Sequence, residues 1–224
     1  MTRRGLGVAA AVLLGVASLP SVQAGEAPAA ADLLFEAPAW RAAPAGTVLS
    51  YRYERRTGNE AVFGPPVSDR IRLDLDPGEA AETRTVRIAM FTDERRVPAG
   101  PFENVGYNPA LVLFLEQHVA RLAKLVQANP RYLKNAIRTA LRYRATITPT
   151  TFELQGRAVP GWRVVVTPFA EDPNRARMRG LETLDYTFVA AESVPGLIAR
   201  MEATAKTDED PLLQQTLTYD PDAR

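Results

Sequence analysis

The sequence contains no cysteine. This excludes disulfides, thiolate metal sites and lipid attachment at a cysteine following an export signal. It contains one histidine, His118. A zinc-type site therefore has neither a second imidazole nor a thiolate to complete it, and no metal is expected. Serine is scarce: after the first 24 residues it occurs only at Ser50, Ser68 and Ser193. None of these lies in a Gly-x-Ser-x-Gly turn, which leaves a Ser–His nucleophile without its elbow. No catalytic motif occurs, and no cofactor is expected. No run of like charge is long enough to read as a polyanion-binding tail.

One catalytic chemistry stays open after these absences. Asp74/Asp76, Glu79/Glu82, Asp93/Glu94, Glu171/Asp172 and Asp208/Glu209/Asp210 all supply neighbouring carboxylates. An acid-pair hydrolase needs two of them about 5–10 Å apart across a cleft. These acids fall in turns or on the polar side of strands, where solvated surface is the ordinary reading. A non-enzymatic protein is the expectation, with an acid-pair hydrolase as an alternative.

The chain opens MTRRGLGVAAAVLLGVASLPSVQAG. Arg3 and Arg4 precede an apolar run from Gly5 to Leu19, followed by the small residues Val22 and Ala24. This is the order of a secretory signal peptide, residues 1–24, with cleavage after Ala24. The run is shorter than the roughly 18–20 residues needed to span a bilayer. An uncleaved anchor is the alternative, and Thr2-Arg3-Arg4 also resembles a twin-arginine signal. The expected location is the periplasm, or the medium after secretion. Loss of the first 24 residues leaves 25 basic against 26 acidic side chains, a net charge of −1. A domain so close to neutral has no electrostatic basis for general nucleic-acid binding.

Residues 25–45 read as an N-terminal arm or short helix, Ala29 to Phe35, ended by Pro38, Pro44 and Gly46; either form pins Leu33, Leu34, Phe35 and Trp40 onto the body. Residues 46–224 then read as one domain. Leu49, Tyr51 and Tyr53 alternate with Ser50, Arg52 and Glu54; Ile71, Leu73 and Leu75 alternate with Arg70, Arg72, Asp74 and Asp76; Val86, Ile88 and Met90 form a third set. A period of two means strands with one dry and one wet face. Gly64-Pro65-Pro66 and Asp76-Pro77-Gly78 supply the turns between them. Three strands with no helix between them imply an antiparallel meander.

The longest helical pattern in the mature chain is NPALVLFLEQHVARLAKLV, with Asn108 as N-cap and Pro109 at the first helical position. Leu111, Phe114, Leu115, His118, Val119, Leu122, Leu125 and Val126 share one stripe; Glu116, Gln117, Arg121 and Lys124 lie opposite. The helix is about 28 Å long. Asn129-Pro130 breaks it. A second helix, Pro130 to Arg142, turns Tyr132, Leu133, Ala136, Ile137 and Leu141 inward and Lys134, Arg138 and Arg142 outward. Strands resume after Tyr143: ATITPTTFEL, in which Pro149 marks a bulge or an edge, then GWRVVVTPF, LETLDYTFVA, GLIARMEATAK and LLQQTLTYD. The fold class is α+β: a curved antiparallel β-sheet, an unclosed half-barrel of about eight strands, covered by a central helical hairpin at residues 108–142.

An export signal, a large antiparallel meander and an embedded apolar helical hairpin over Thr47–Asp220 resemble the LolA/LolB-like carriers of the bacterial envelope. The resemblance is architectural; no signature motif carries it. It implies an unclosed sheet capped by helices, with acyl chains of a lipoprotein held between. The chain departs from the family in having fewer countable strands and no helix late in its order of elements.

The expected function is therefore a periplasmic carrier or sensor of an apolar ligand (an acyl chain, lipid or lipoprotein) held between sheet and helices. Tyr51, Tyr53, Leu111, Phe114, Leu115, His118, Leu122 and Trp162 are the candidate ligand-binding residues. Arg175, Arg177 and Arg179, in the loop Ala170–Gly180, are candidates for the cavity mouth, where they would meet phosphate groups. Each has a plainer reading: core filling for the aromatics, a buried hydrogen-bonded ring for His118, and ion pairs with Glu171 and Asp172 for the arginines. The alternative function is a non-catalytic interaction or scaffold module with a filled core, partnered by another envelope protein.

Overall fold

The computed structural model describes residues 27–206 and 211–223; residues 1–24, expected to be a signal peptide, lie outside them. Nine strands form one antiparallel sheet: β1 (Val48–Thr57), β2 (Val67–Pro77), β3 (Arg84–Met90), β4 (Val97–Val105), β5 (Thr146–Leu154), β6 (Arg157–Val166), β7 (Asp185–Ala190), β8 (Ile198–Lys206) and β9 (Pro211–Tyr219). Their spatial order is β4-β3-β2-β1-β9-β8-β7-β6-β5. Two meanders are thus stitched together where the last strand returns beside the first, with Tyr53 opposite Leu217. The sheet is unclosed, with β4 and β5 as its edges. A short helix, α1 (Glu60–Phe63), sits in the β1–β2 connection.

The two long helices, α2 (Pro109–Val126) and α3 (Pro130–Tyr143), connect β4 to β5. In sequence they run from one edge of the sheet to the other. The alternation of the strands decides which face they cover. Leu49, Tyr51, Tyr53, Leu73, Leu75, Val86, Tyr186, Phe188, Met201 and Ala203 are buried in one core with Leu111, Phe114 and Leu122 of α2. Their strand neighbours Arg52, Arg70, Arg72 and Arg87 are exposed.

The ninth strand, β4, is the one the sequence pattern conceals. VPAGPFENV carries Pro98, Gly100 and Pro101, all strand breakers. It is tolerated at an edge because one side of the strand has no ladder to complete. Its pairing with β3 is irregular, shifting register between Arg84 and Val86 and again between Val86 and Ile88. Pro149 also lies in an edge strand; the β5–β6 pairing passes it, opposite Trp162, without a bulge. LETLDYTFVA is shorter as a strand than its alternation suggests. Leu181–Thr183 forms a 3-10 turn and β7 begins at Asp185. At the N-terminus, Asp32–Glu36 makes one turn of π-helix that buries Leu33 and Leu34. Trp40 follows, buried, its indole N–H donating to the Val105 carbonyl at 2.6 Å.

One residue fixes the start of α2. The Asn108 side-chain oxygen accepts from the Ala110 amide at 3.1 Å, capping the helix. Its Nδ2 donates to the Tyr51 hydroxyl at 2.9 Å and to the Gly196 carbonyl at 3.0 Å. The Tyr51 hydroxyl in turn donates to the Ile198 carbonyl at 3.0 Å. Gly196 has φ +81°, and a Cβ there would lie 2.8 Å from both Asn108 Nδ2 and Leu49 Cδ1. Only glycine fits the approach. The cap thus fastens the helix to β1 and to the turn before β8.

Asn108→Ala removes the cap and takes away the donor to the buried Tyr51 hydroxyl oxygen, while the Gly196 carbonyl keeps the Ile198 amide at 2.7 Å. The expected loss is about 2–4 kcal/mol of unfolding free energy, read by denaturant titration. Asn108→Asp keeps the cap oxygen but turns a buried carboxylate oxygen toward the Gly196 carbonyl, and should be at least as destabilising as Asn108→Ala at neutral pH.

Candidate functional site

The apolar stripe of α2 is wider than the sheet beneath it requires. Leu111, Phe114, His118 and Leu122 face the sheet and are buried. Val112, Leu115 and Val119 lie on the flank, and there the structure opens a second space. A groove of about 320 Å³ lies outside the sheet–helix interior. Its floor is Ala31 and Phe35 from the N-terminal π-turn, Val112, Leu115 and Val119 from α2, and Ile137 and Leu141 from α3. Glu36, Glu116, Lys134, Arg138 and Arg142 complete its lining. Lys134 pairs with Glu116 at 2.6 Å. The Arg138 and Arg142 guanidinium groups carry no recorded ion pair among the described residues. The remaining charges in the lining are two arginines against Glu36.

The interior between sheet and helices is different. The void nearest the predicted site, beside Phe114, Met90 and Leu217, measures about 10 Å³, the space of a single water. Tyr51, Tyr53, Leu111, Phe114, His118 and Leu122 are all packed there, none more than 3% exposed. Phe114 meets His118 edge-on, with ring centroids 4.6 Å apart, and Tyr186 and Phe188 at 6.3 and 6.5 Å. Tyr53 meets Phe91 edge-on at 5.1 Å. Trp162 is half-buried on β6, opposite Pro149 near the sheet edge. Of the eight candidate ligand-binding residues, Leu115 alone lines the groove.

Two residues on the polar side of the α2 pattern also depart from expectation. Gln117 and Arg121 are half-buried. Gln117 donates to the Met90 sulfur and Arg121 reaches the Gln215 side-chain oxygen at 3.4 Å. Tyr132, expected inward on α3, is 38% exposed. Its hydroxyl lies 2.7 and 2.8 Å from the two Asp172 oxygens. That bond takes Asp172, and Arg144 takes Glu171 at 3.5 Å, so neither acid pairs with the arginines of its own loop. Arg175, Arg177 and Arg179 are exposed. The cations that line the groove come from α3 instead.

The buried polar groups cluster beneath α2. His118 packs 5.6 Å from Tyr186, centroid to centroid. Both its ring nitrogens lie beyond hydrogen-bonding geometry, as does the Tyr186 hydroxyl. Burial, with a smaller contribution from the nearby Arg121 cation and partly opposed by Gln215, pushes the His118 pKa down to about 3. Burial likewise raises the Tyr186 and Tyr51 hydroxyl pKa values above the ordinary phenol range. His118 is therefore a neutral ring in a dry environment, unsuited to general base work near neutral pH. Among the described residues no group of three or more His, Cys, Asp or Glu side chains is placed to hold a metal.

The acid pairs are dispersed. Asp74 pairs with Arg72 at 2.7 Å and Asp76 pairs with Arg87, both on the wet face. Glu79, Glu82, Asp93 and Glu94 are exposed or half-exposed, and Asp208, Glu209 and Asp210 lie outside the described residues. Two carboxylates are buried, Asp172 and Asp69, and Asp69 did not stand out in the sequence. It accepts from the Thr92 amide and hydroxyl at 3.0 and 2.9 Å and pairs with Arg95 at 2.7 Å. Asp69 ties the segment after β3 to β2 through Oδ1, while Oδ2 meets only the Arg95 cation.

No protein-family model matches the chain, and no curated protein matches it in sequence. Among solved structures it is similar to the lipoprotein LppX of Mycobacterium tuberculosis. The TM-score is 0.33 with 9% identity, over 78% of this chain and 85% of that one. A superposition this loose says nothing about ligand or partner.

Because the folded His118 pKa lies below the unfolded value of 6.5, the folded state resists a proton that the unfolded chain accepts. Stability is then full above about pH 6.5 and falls as the pH drops toward 3. Between pH 7 and about pH 4.5 the wild type should lose roughly 2–3 kcal/mol that His118→Leu does not lose. Denaturant titrations of both proteins at the two pH values measure the difference.

Proposed function

We propose that the mature protein is an exported binder of an amphiphile, an acyl chain carrying an anionic head. The chain would lie in the groove between the N-terminal π-turn, α2 and α3. The observation that carries this reading is the combination of apolar floor and cationic rim: Phe35, Val112, Leu115, Val119, Ile137 and Leu141 below, Arg138 and Arg142 at the edge. The volume of about 320 Å³ falls at the lower end of small-molecule sites, large enough for one chain and small for a multi-chain lipid. An anionic head would gain charge-assisted hydrogen bonds from two guanidinium groups without displacing an existing ion pair.

This relocates the expected ligand from the space under α2 to the outer flank of the same helix. The void beside Phe114 is water-sized, and an acyl chain there would require α2 to lift from the sheet against the Asn108 clamp. Export remains part of the proposal on the strength of residues 1–24. Among the described residues no helix is long and apolar enough to cross a membrane. A second reading, a non-catalytic interaction module, draws support from the filled core itself. It predicts that the groove takes no lipid at all.

Purified mature protein should carry or take up long-chain fatty acids in native mass spectrometry and bind a fluorescent fatty acid in solution. Leu115→Lys, which puts a charge on the floor, should weaken binding at least about tenfold while leaving the circular dichroism unchanged, since burying one unpaired ammonium costs more than 1.4 kcal/mol. Binding unaffected by Leu115→Lys, or no binding by the wild type, counts against the groove. Arg138→Gln/Arg142→Gln should erase the preference for a fatty acid over the matching fatty alcohol, measured by competition, while retaining affinity for the alcohol.

A further inference from the structure

The cations of this chain are not spread evenly. From Gln117 to Phe152 there is no Asp or Glu, against seven Lys and Arg, in a mature chain whose net charge is −1. The structure concentrates part of this set on one face. Along α3, Arg131, Arg138 and Arg142 recur at helical spacing opposite the buried Leu133, Ile137, Ala140 and Leu141, and all three are exposed. The β6–β7 crossover adds Arg175, Arg177 and Arg179, also exposed. The two segments are joined. Tyr132 of α3 bonds to Asp172 of the crossover, Asn174 Nδ2 donates to the Tyr132 hydroxyl at 3.2 Å, and Arg144 donates to the Pro168 carbonyl at 3.1 Å. Glu171 and Asp172, the acids within this surface, are already held by Arg144 and Tyr132.

Two exposed tyrosines flank the arginine stripe: Tyr132, and Tyr143, which is 73% exposed. Nothing in the core explains a ring so open at a helix end. Amphipathic rings beside a cationic surface are the composition that settles at the headgroup level of a bilayer.

We propose that the face made by α3 and the β6–β7 crossover docks the protein on an anionic lipid surface. Docking is electrostatic and reversible. The apolar side of α3 faces the core and the groove floor, so the helix has no outward greasy face to insert, and Tyr132 and Tyr143 supply a shallow apolar contact. A nucleic acid is disfavoured by the near-neutral whole. The face adjoins the groove through Arg138 and Arg142, which belong to both, so a docked protein presents the groove rim toward the lipid. The docking surface does not depend on the groove being a ligand site, because its outer cations, Arg131, Arg175 and Arg177, do not line the groove.

The test is flotation of the mature protein with phosphatidylcholine vesicles, with and without phosphatidylglycerol, at low salt and at about 0.5 M salt, where the screening length falls to roughly 4 Å. Wild type should float with the acidic vesicles at low salt, stay behind with neutral ones, and be released by salt. Arg131→Glu/Arg175→Glu/Arg177→Glu, whose side chains hold no hydrogen bond or ion pair among the described residues, should lower the partition coefficient by about tenfold or more. It should leave fatty-acid binding in the groove unchanged, which separates failure of the surface from failure of the groove. Equal flotation of the triple variant, equal flotation with neutral vesicles, or no flotation at all overturns the proposal. Retention on DNA or heparin without flotation assigns the face to another polyanion and overturns it as well.

Discussion

The clamp at Asn108 determines where a ligand could go. A single side chain caps α2 and holds its first turn to the centre of the sheet through Tyr51 and Gly196. The connection from one sheet edge to the other must therefore cross close above the strands. A helix held that close presses Leu111, Phe114 and Leu122 into Tyr186 and Phe188 and leaves little void. What remains of its apolar stripe, at Val112, Leu115 and Val119, is left for α3 and the N-terminal π-turn, and those elements do not fully close over it. The filled interior and the open groove are two consequences of one anchoring point.

The period-two alternation made most of the sheet legible before any coordinates. Tyr51 and Tyr53, Leu73 and Leu75, Tyr186 and Phe188 all point inward as their spacing requires, and both long helices begin at the asparagines that cap them. β4 was not legible because an edge strand tolerates prolines and glycine that would disqualify a central one. The return of β9 to pair with β1 was not legible either, since strand order is a property of distant segments.

The site was less legible than the fold, for a geometric reason. A helical wheel shows which residues of α2 are apolar but not how many neighbours share them. Leu111 and Leu115 look alike on the wheel; one faces the sheet and the other faces the groove. The contribution of Phe35, nearly eighty residues earlier, cannot be read from spacing at all. Arg175, Arg177 and Arg179 do not line the groove, whose cations come from α3. His118, which drew notice as the chain's one histidine, is a neutral ring packed on Phe114 and Tyr186. Its unpaired nitrogens make it a source of acid sensitivity rather than of chemistry.

The account rests on the groove, not the interior, being the place where an acyl chain lies. Photo-crosslinking of the mature protein with a diazirine-bearing fatty acid, followed by peptide mapping, tests this most directly. Label on the peptides that carry Phe35, Leu115 and Ile137 is the predicted result. Label concentrated on Tyr186, Phe188 or Met201, beneath α2, would contradict it.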